Sequence, residues 1–345
     1  MPVPAPYIER EGQTHMKGKA LVTGGGGFLG RYIAEQLQQR GYQVTVFCRG
    51  EYPELTQTGI NVVRGDVTNP NRLDEAVRGQ DLVFHVAAKV GYWGDYQDYY
   101  DVNVQGTANV IRSCQQHGVN KLIYTSSPSV TMNNIDIHNG NESLPYPEQY
   151  HSHYSATKAI AERNVLAAHN PDGLHTVAIR PHLILGPRDN HLLPRILQKA
   201  NSGRLKQIGP GRNKVSITYV ENAAHAHILA AESPNTGGNA YFINEPEPVV
   251  LWPWLKGILA ELGAQPPKRA VPFSLAFGAG WVLESLYRLL NIKQEPLVTR
   301  FIASELFRNH YFSIEKARRD FGYEPLYSFE EAEVKTLQHV REVMK

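Results

Sequence analysis

Cysteine is almost missing: among 345 residues only Cys48 and Cys114 occur. Two cysteines cannot build a disulfide framework, and no paired Cys motif suggests structural zinc, so a reducing compartment, the cytoplasm, is expected. An excess of one charge is missing too. Thirty-five Lys and Arg stand against 33 Asp and Glu, a net +2 with no basic run, so bulk charge gives no footprint for nucleic acid. No apolar run is clean enough to cross a bilayer; the longest, from Val271 to Leu290, is interrupted by Glu284 and Arg288. The opening stretch MPVPAPYIEREGQTH lacks the apolar core of a signal peptide. Residues 1–16 are expected to be a disordered extension, the folded chain starting in MKGKALVTGG. The 14 histidines are scattered, and the pairs His151/His153 and His225/His227 have no third ligand nearby, so no metal site is expected.

What is present is an ordinary globular composition, 42% hydrophobic and 20% charged, with a regular pattern. Short β-branched runs alternate with segments of helical spacing. KALVTG (19–24), YQVTVFC (42–48), INVVRGD (60–66), DLVFHVAA (81–88), KLIYTSS (121–127) and HTVAIR (175–180) are the strands. Such alternation predicts an α/β fold of the Rossmann type, a doubly wound parallel sheet with helices on both faces. Beyond residue 180 prolines at 181, 187, 194 and 210 mark loops, and from Glu245 the pattern is mostly helical. The expected division is an α/β domain of residues 17–180 and 215–245. Residues 181–214 and 246–345 form a smaller, mainly helical substrate lobe over the C-terminal edge of the sheet.

The first strand runs into Thr23-Gly24-Gly25-Gly26-Gly27-Phe28-Leu29-Gly30, with glycines at 24, 27 and 30. Glycines there permit a tight turn and close approach of a ligand, and the following helix offers free N–H groups and a positive dipole end to a pyrophosphate. The second strand ends in Cys48-Arg49, with no acid to accept bonds from an NAD ribose. Arg49 can instead pair with the 2′-phosphate of NADP. NADP(H) is therefore the expected cofactor, with NAD(H) left open. Asp66, followed by Val67, is placed to touch the adenine, and Ala87 and Ala88 leave room for the dinucleotide.

Tyr154 and Lys158, in HYSATK, are four residues apart in a helical stretch and so share one face. An adjacent ammonium favours the phenolate and moves Tyr154 towards a useful general acid/base. Ser126 and Ser127 place hydroxyls at the end of the fifth strand, where α/β folds bind ligands.

With TGGGGFLG, YTSSPSV, YSATK, RPHLILGP (180–187), YVENAAHAH (219–227), YFIN (241–244) and ARRDFGY (317–323), the chain resembles the extended short-chain dehydrogenases/reductases. Within them it is similar to the 3β-hydroxysteroid dehydrogenase branch, from Lys17 to about Phe329. The resemblance implies that Tyr154 is the acid/base and that Lys158 lowers its pKa and holds the ribose. It implies that Ser127, or failing it Ser126, faces the substrate, that Asn103 orients Lys158 through water, and that Pro181 begins the segment beside the nicotinamide. The strings GYWGDYQDYYDVNV (91–104) and GPRDNHLLPR (186–195) resemble in particular the bacterial 2-alkyl-3-oxoalkanoate reductases of long-chain olefin biosynthesis. A homodimer packed through the helix bearing Tyr154 and the one after Tyr100 is also implied.

The loop from Tyr92 to Tyr100 carries Tyr92, Trp93, Tyr96, Tyr99 and Tyr100, apolar surface suited to a lipid-like substrate or to packing on the next helix. Arg188, His191 and Arg195 are candidate anchors for a substrate carboxylate or a solvated loop. Ser129 and His182 complete the candidate substrate residues. Trp281, Leu283, Leu286, Tyr287 and Leu290 can form a face for a membrane surface or partner enzyme, or pack as an ordinary helix. A 3β-hydroxysteroid or sterol dehydrogenase, a nucleotide-sugar epimerase and an NADP-sensing regulatory protein remain the other readings; the intact Ser127, Tyr154 and Lys158 argue against a sensor.

Overall fold

The computed structural model describes residues 16–343, so the expected N-terminal extension, Met16 apart, lies outside the described residues. Seven strands, β1 (Lys19–Thr23), β2 (Gln43–Cys48), β3 (Asn61–Arg64), β4 (Leu82–His85), β5 (Lys121–Thr125), β6 (His175–Pro181) and β7 (Asn239–Ile243), form one parallel sheet. Their order is β7-β6-β5-β4-β1-β2-β3. The winding reverses between β1 and β4, and a crevice opens there at the C-terminal strand ends. Continuous apolar runs suit strands covered on both faces: Leu21, Val22, Val83, Phe84, Leu122, Ile123, Val177 and Ile179 are fully buried.

Helices α1 (Phe28–Gln39), α2 (Gly106–Gln116), α3 (His153–Ala167) and α4 (Val220–Glu232) cover the sheet. Ile33 and Leu37 of α1 share one core with Ala224 and Ile228 of α4. Val110 and Cys114 of α2 share the other with Ala161 and Val165 of α3. A single π-helical turn, Tyr100–Gln105, leads into α2. Such turns interrupt regular helix packing and often mark functional positions.

The C-terminal part is mainly helical, as expected, and includes α5 (Phe273–Leu289) and α6 (Arg300–Glu305). It also holds a small sheet of Val249–Val250, Lys214–Val215, His310–Phe312 and Ile137–Gly140, the last strand coming from the first half of the chain. Helix Glu315–Phe321 returns to the large sheet: Lys316 Nζ donates to the Ala240 carbonyl of β7 at 3.1 Å, and the Phe321 and Tyr241 rings meet at 5.0 Å. The two parts therefore interleave. Among the described residues no helix is long and apolar enough to cross a membrane. On and just beyond α5, Trp281, Leu286 and Leu290 are exposed, whereas Tyr287 turns onto the Trp93 ring, 6.1 Å away.

Candidate active site

A cleft of about 840 Å³ runs along the C-terminal strand ends, from the glycine turn to α6. Its shape at one end follows from two glycines. Gly24 turns the chain out of β1 with φ +70°, and a side chain there would meet Ala87 N at 2.8 Å. A side chain at Gly30 would strike the Gly24 carbonyl oxygen at 2.4 Å. The first turn of α1 is capped by Gly27 without a side-chain hydrogen bond, and it contains no acid. The N–H groups of Phe28, Leu29 and Gly30 thus lack intrahelical partners at the helix's positive end. Gly24, Gly27, Phe28, Leu29, Gly30, Asp66, Val67, Ala87, Ala88 and Pro181 all line this cleft. The cradle fits a dinucleotide. Arg49 lines it too, exposed; its carbonyl accepts from Arg64 Nε at 3.1 Å, and its guanidinium has no partner among the described residues.

The reacting groups stand at the middle of the cleft. Ser152 caps α3, its Oγ accepting from Ser155 N at 3.1 Å, so Tyr154 and Lys158 enter from the first turns. Burial pushes the Tyr154 hydroxyl up to about 12, against the pull of the Ser127 hydroxyl. Burial brings Lys158 down to about 7, against the Glu162 carboxylate. Lys158 Nζ donates to the Thr125 carbonyl at 2.6 Å and sits 4.0 Å over the Tyr124 ring. Thr125 is fixed in turn, its Oγ1 bonding His227 Nε2 at 2.8 Å. Below Lys158, Glu162 accepts from Arg180 Nε at 2.9 Å and from the Tyr146 hydroxyl at 2.6 Å. Ser127 Oγ donates to Ser129 Oγ at 3.0 Å, and both residues line the cleft. Two hydroxyls, Tyr154 and Ser127, thus share one space with a buried amine, an arrangement able to bind a carbonyl oxygen and exchange a proton with it.

Asn103 does not line the cleft. Its Oδ1 accepts from Lys89 N at 2.7 Å, and its Nδ2 donates to the Lys89 carbonyl and to Thr157 Oγ1. These bonds tie the segment after β4 to α3.

At the far end Tyr92, His182 and Arg195 line the cleft with Phe301 and Glu305. The Tyr92 and Phe301 rings stack at 5.4 Å, the Arg195 guanidinium lies 5.2 Å from the Tyr92 centroid, and Arg195 pairs with Glu295. Two expected substrate residues are elsewhere. Arg188 is occupied by Glu35 and Tyr32 of α1, because a bidentate carboxylate satisfies its planar donors better than a solvated loop. Trp93 turns from the cleft, its Nε1 donating to the Ile292 carbonyl at 3.1 Å beside Tyr287.

His182, His310 and Glu305 bring potential metal-ligand atoms within 4.8 Å of one another, but the imidazoles already have hydrogen-bond partners. His310 Nε2 donates to the Glu305 carbonyl at 2.8 Å, and its Nδ1 shares a hydrogen bond with His182 Nε2, 2.6 Å away. Phe301, Glu305 and His310 escaped the sequence reading. They come from segments without a motif, and only folding brings them to the cleft.

Residues 21–275 match the sequence profile of the 3-beta hydroxysteroid dehydrogenase/isomerase family. The chain is 47% identical over 323 residues to a 2-alkyl-3-oxoalkanoate reductase of Shewanella oneidensis, covering 90% of this chain and 84% of that protein. It is 39% identical over 335 residues to the sterol-4-alpha-carboxylate 3-dehydrogenase, decarboxylating, of Mus musculus, covering 95% and 92%. The solved structure of MoeE5 with UDP-glucose and NAD has a TM-score of 0.73 over 95% of this chain and 100% of that chain; at 23% identity the likeness is one of fold.

Proposed function

The chain belongs to the 3-beta hydroxysteroid dehydrogenase/isomerase family and is an NAD(P)-dependent oxidoreductase, and on that premise we propose that it reduces the ketone of a long-chain 2-alkyl-3-oxoalkanoate to the 3-hydroxy acid with NADPH, a step of olefin biosynthesis. The observation that carries this reading is that one cleft holds the Tyr154 and Ser127 hydroxyls and, past them, Arg195 over Tyr92. The substrate ketone oxygen accepts hydrogen bonds from Ser127 and Tyr154, and Tyr154 gives up the proton. Lys158, held on Thr125, supplies the positive charge that makes this transfer favourable and keeps the ribose in place. Arg195 takes the carboxylate, and Tyr92 and Phe301 cover the alkyl part, each buried CH₂ contributing about 0.8 kcal/mol. The glycine turn would hold the dinucleotide and Arg49 its 2′-phosphate, and when bound the dinucleotide would supply the hydride.

A second reading has its own support. The sterol relative's name puts a carboxylate two bonds from the reacting carbon, as in a 2-alkyl-3-oxo acid, so the same residues suit oxidation of a sterol carboxylate. Measuring kcat/KM for a 2-alkyl-3-hydroxy acid in the oxidative direction, beside a 3β-hydroxysteroid bearing a 4α-carboxylate, decides between them. Turnover of the steroid without the branched acid overturns the first reading. We also infer a homodimer through α2 and α3; a monomer mass by light scattering at micromolar concentration overturns it.

A further inference from the structure

Glu305 ends α6 where two cavities meet. It lines the main cleft and also a small pocket bounded by Met132, Tyr150, His151 and Arg308, and Phe301 is the one other residue common to both. The contact with His310 is made by the backbone, not the carboxyl: His310 Nε2 donates to the Glu305 carbonyl at 2.8 Å and stays 4.0 Å from Oε2. The carboxyl itself accepts no hydrogen bond among the described residues, although the side chain is largely enclosed. Its charged neighbours make no hydrogen bond to it. Arg195 gives only Nη2 to Glu295, and Arg308 turns Nη1 towards Asp136 at 3.5 Å. Around the group stand His310 and His182 on the strand side, Tyr92 across the cleft, and Tyr150 and His151 at the small pocket. None supplies a bond that would hold a bare carboxylate there. Burial lifts the Glu305 carboxyl above its ordinary value, His310 alone pulling the other way.

A carboxyl in that setting is best satisfied as the neutral acid, which carries an O–H donor with no protein acceptor. We propose that the Glu305 carboxyl is a second hydrogen-bond donor, beside Arg195, for the carboxylate of the substrate. The inference rests on the substrate being a carboxylic acid. Tyr92 links the two donors: the Arg195 guanidinium lies over its ring and Phe301, one helical turn before Glu305, stacks against it. An acid donating to a carboxylate makes a short charge-assisted bond, and it turns into repulsion once the acid ionises. Glu305 is thus a specificity residue that admits an anionic head only while protonated.

The test is binding of decanoate to the NADP⁺-saturated protein between pH 5.5 and 8.5, with 1-decanol as the uncharged control. Wild-type affinity for decanoate should fall at least about tenfold as pH rises, since a hydrogen bond to a charged group is worth about 1.5–3 kcal/mol. Glu305→Gln, the isostere of the acid with an N–H donor, should keep the low-pH affinity throughout. Glu305→Ala should be about tenfold weaker than both at low pH, and decanol should not distinguish the three proteins. A level wild-type profile, a Gln variant as weak as Ala, a Gln variant tighter than wild type at every pH, or equal losses for decanol would each overturn the proposal. The wild-type profile needs no variant to fold. Turnover of the branched hydroxy acid tests the substrate reading separately: decanoate bound in this manner by a protein inert towards the branched acid would sink the substrate and leave the site.

Discussion

Arg188 donates to both carboxylate oxygens of Glu35, Nη1 to Oε1 and Nη2 to Oε2 at 2.8 Å each, while its guanidinium lies 3.9 Å over the Tyr32 ring. The loop after β6 is thereby fastened to α1, whose first turn forms the glycine end of the cleft. Arg188→Ala should therefore cost stability rather than substrate affinity. The pair is about 30% exposed, so solvent screening limits the loss to about 1 kcal/mol, or a few degrees in Tm, with the substrate KM within about twofold of wild type. A tenfold rise in KM at unchanged Tm would return Arg188 to the substrate site.

The contrast between Arg188 and Arg195 shows what sequence can carry. The glycine turn and Tyr154/Lys158 are local devices: their chemistry lies in spacings of three and four residues, and these place themselves once a strand precedes a helix. Which arginine of GPRDNHLLPR faces the cleft depends on Glu35 and Tyr32, about 150 residues earlier, and on a short helix that turns Arg195 inward. Tyr92 and Trp93 are neighbours in an aromatic loop with no periodicity to say which points in. Tyr287 and Ile292 decide it by taking Trp93. The seven-stranded parallel sheet was legible because its alternation is regular. The strand Ile137–Gly140, paired with His310–Phe312, was not, since so short a run carries no period.

Cofactor choice should turn on Arg49. Its guanidinium has no partner among the described residues, and Cys48 beside it is a buried thiol that cannot accept as an acid does. Wild-type kcat/KM should be higher with NADPH than with NADH. Arg49→Ala should lower the NADPH value by about 10- to 100-fold, the worth of a charge-assisted phosphate contact, and leave NADH nearly unchanged. Equal efficiency with the two dinucleotides in the wild type would refute the assignment.

Stability should fall on mild acidification. His85 is buried between Thr23 Oγ1 at 2.7 Å and Thr107 Oγ1 at 2.9 Å, and burial holds it down at about 3. Burial likewise holds His227 at about 4, with its Nδ1 donating to the Ala223 carbonyl. Both folded values lie below the ordinary 6.5, so the unfolded chain binds more protons as pH drops below 6.5, and stability present above that pH is lost. Each ring costs about 1.4 kcal/mol per pH unit, so pH 5.5 should remove about 3 kcal/mol from the pair. Thermal unfolding at pH 7.5, 6.5 and 5.5 checks this; a level Tm would show that the rings gain protons without penalty.

Tyr154→Phe separates chemistry from binding. The phenol lines the cleft and burial keeps it protonated in the free protein, so in the proposed reaction its hydroxyl supplies the proton to the reacting oxygen. Lys158 does not need that hydroxyl to stay in place, being held by the Thr125 carbonyl and the Tyr124 ring. Removing one oxygen should therefore lower kcat by about 10²- to 10⁴-fold, the range for loss of a general acid/base, with dinucleotide affinity within about twofold by fluorescence titration. The pH profile gives a second readout. Residual activity of the Phe variant should lose the limb that belongs to the phenol. A Phe variant that turned over at near wild-type rate would move the acid/base role to Ser127 or Lys158, and unchanged turnover with weakened dinucleotide binding would make Tyr154 a cofactor contact alone.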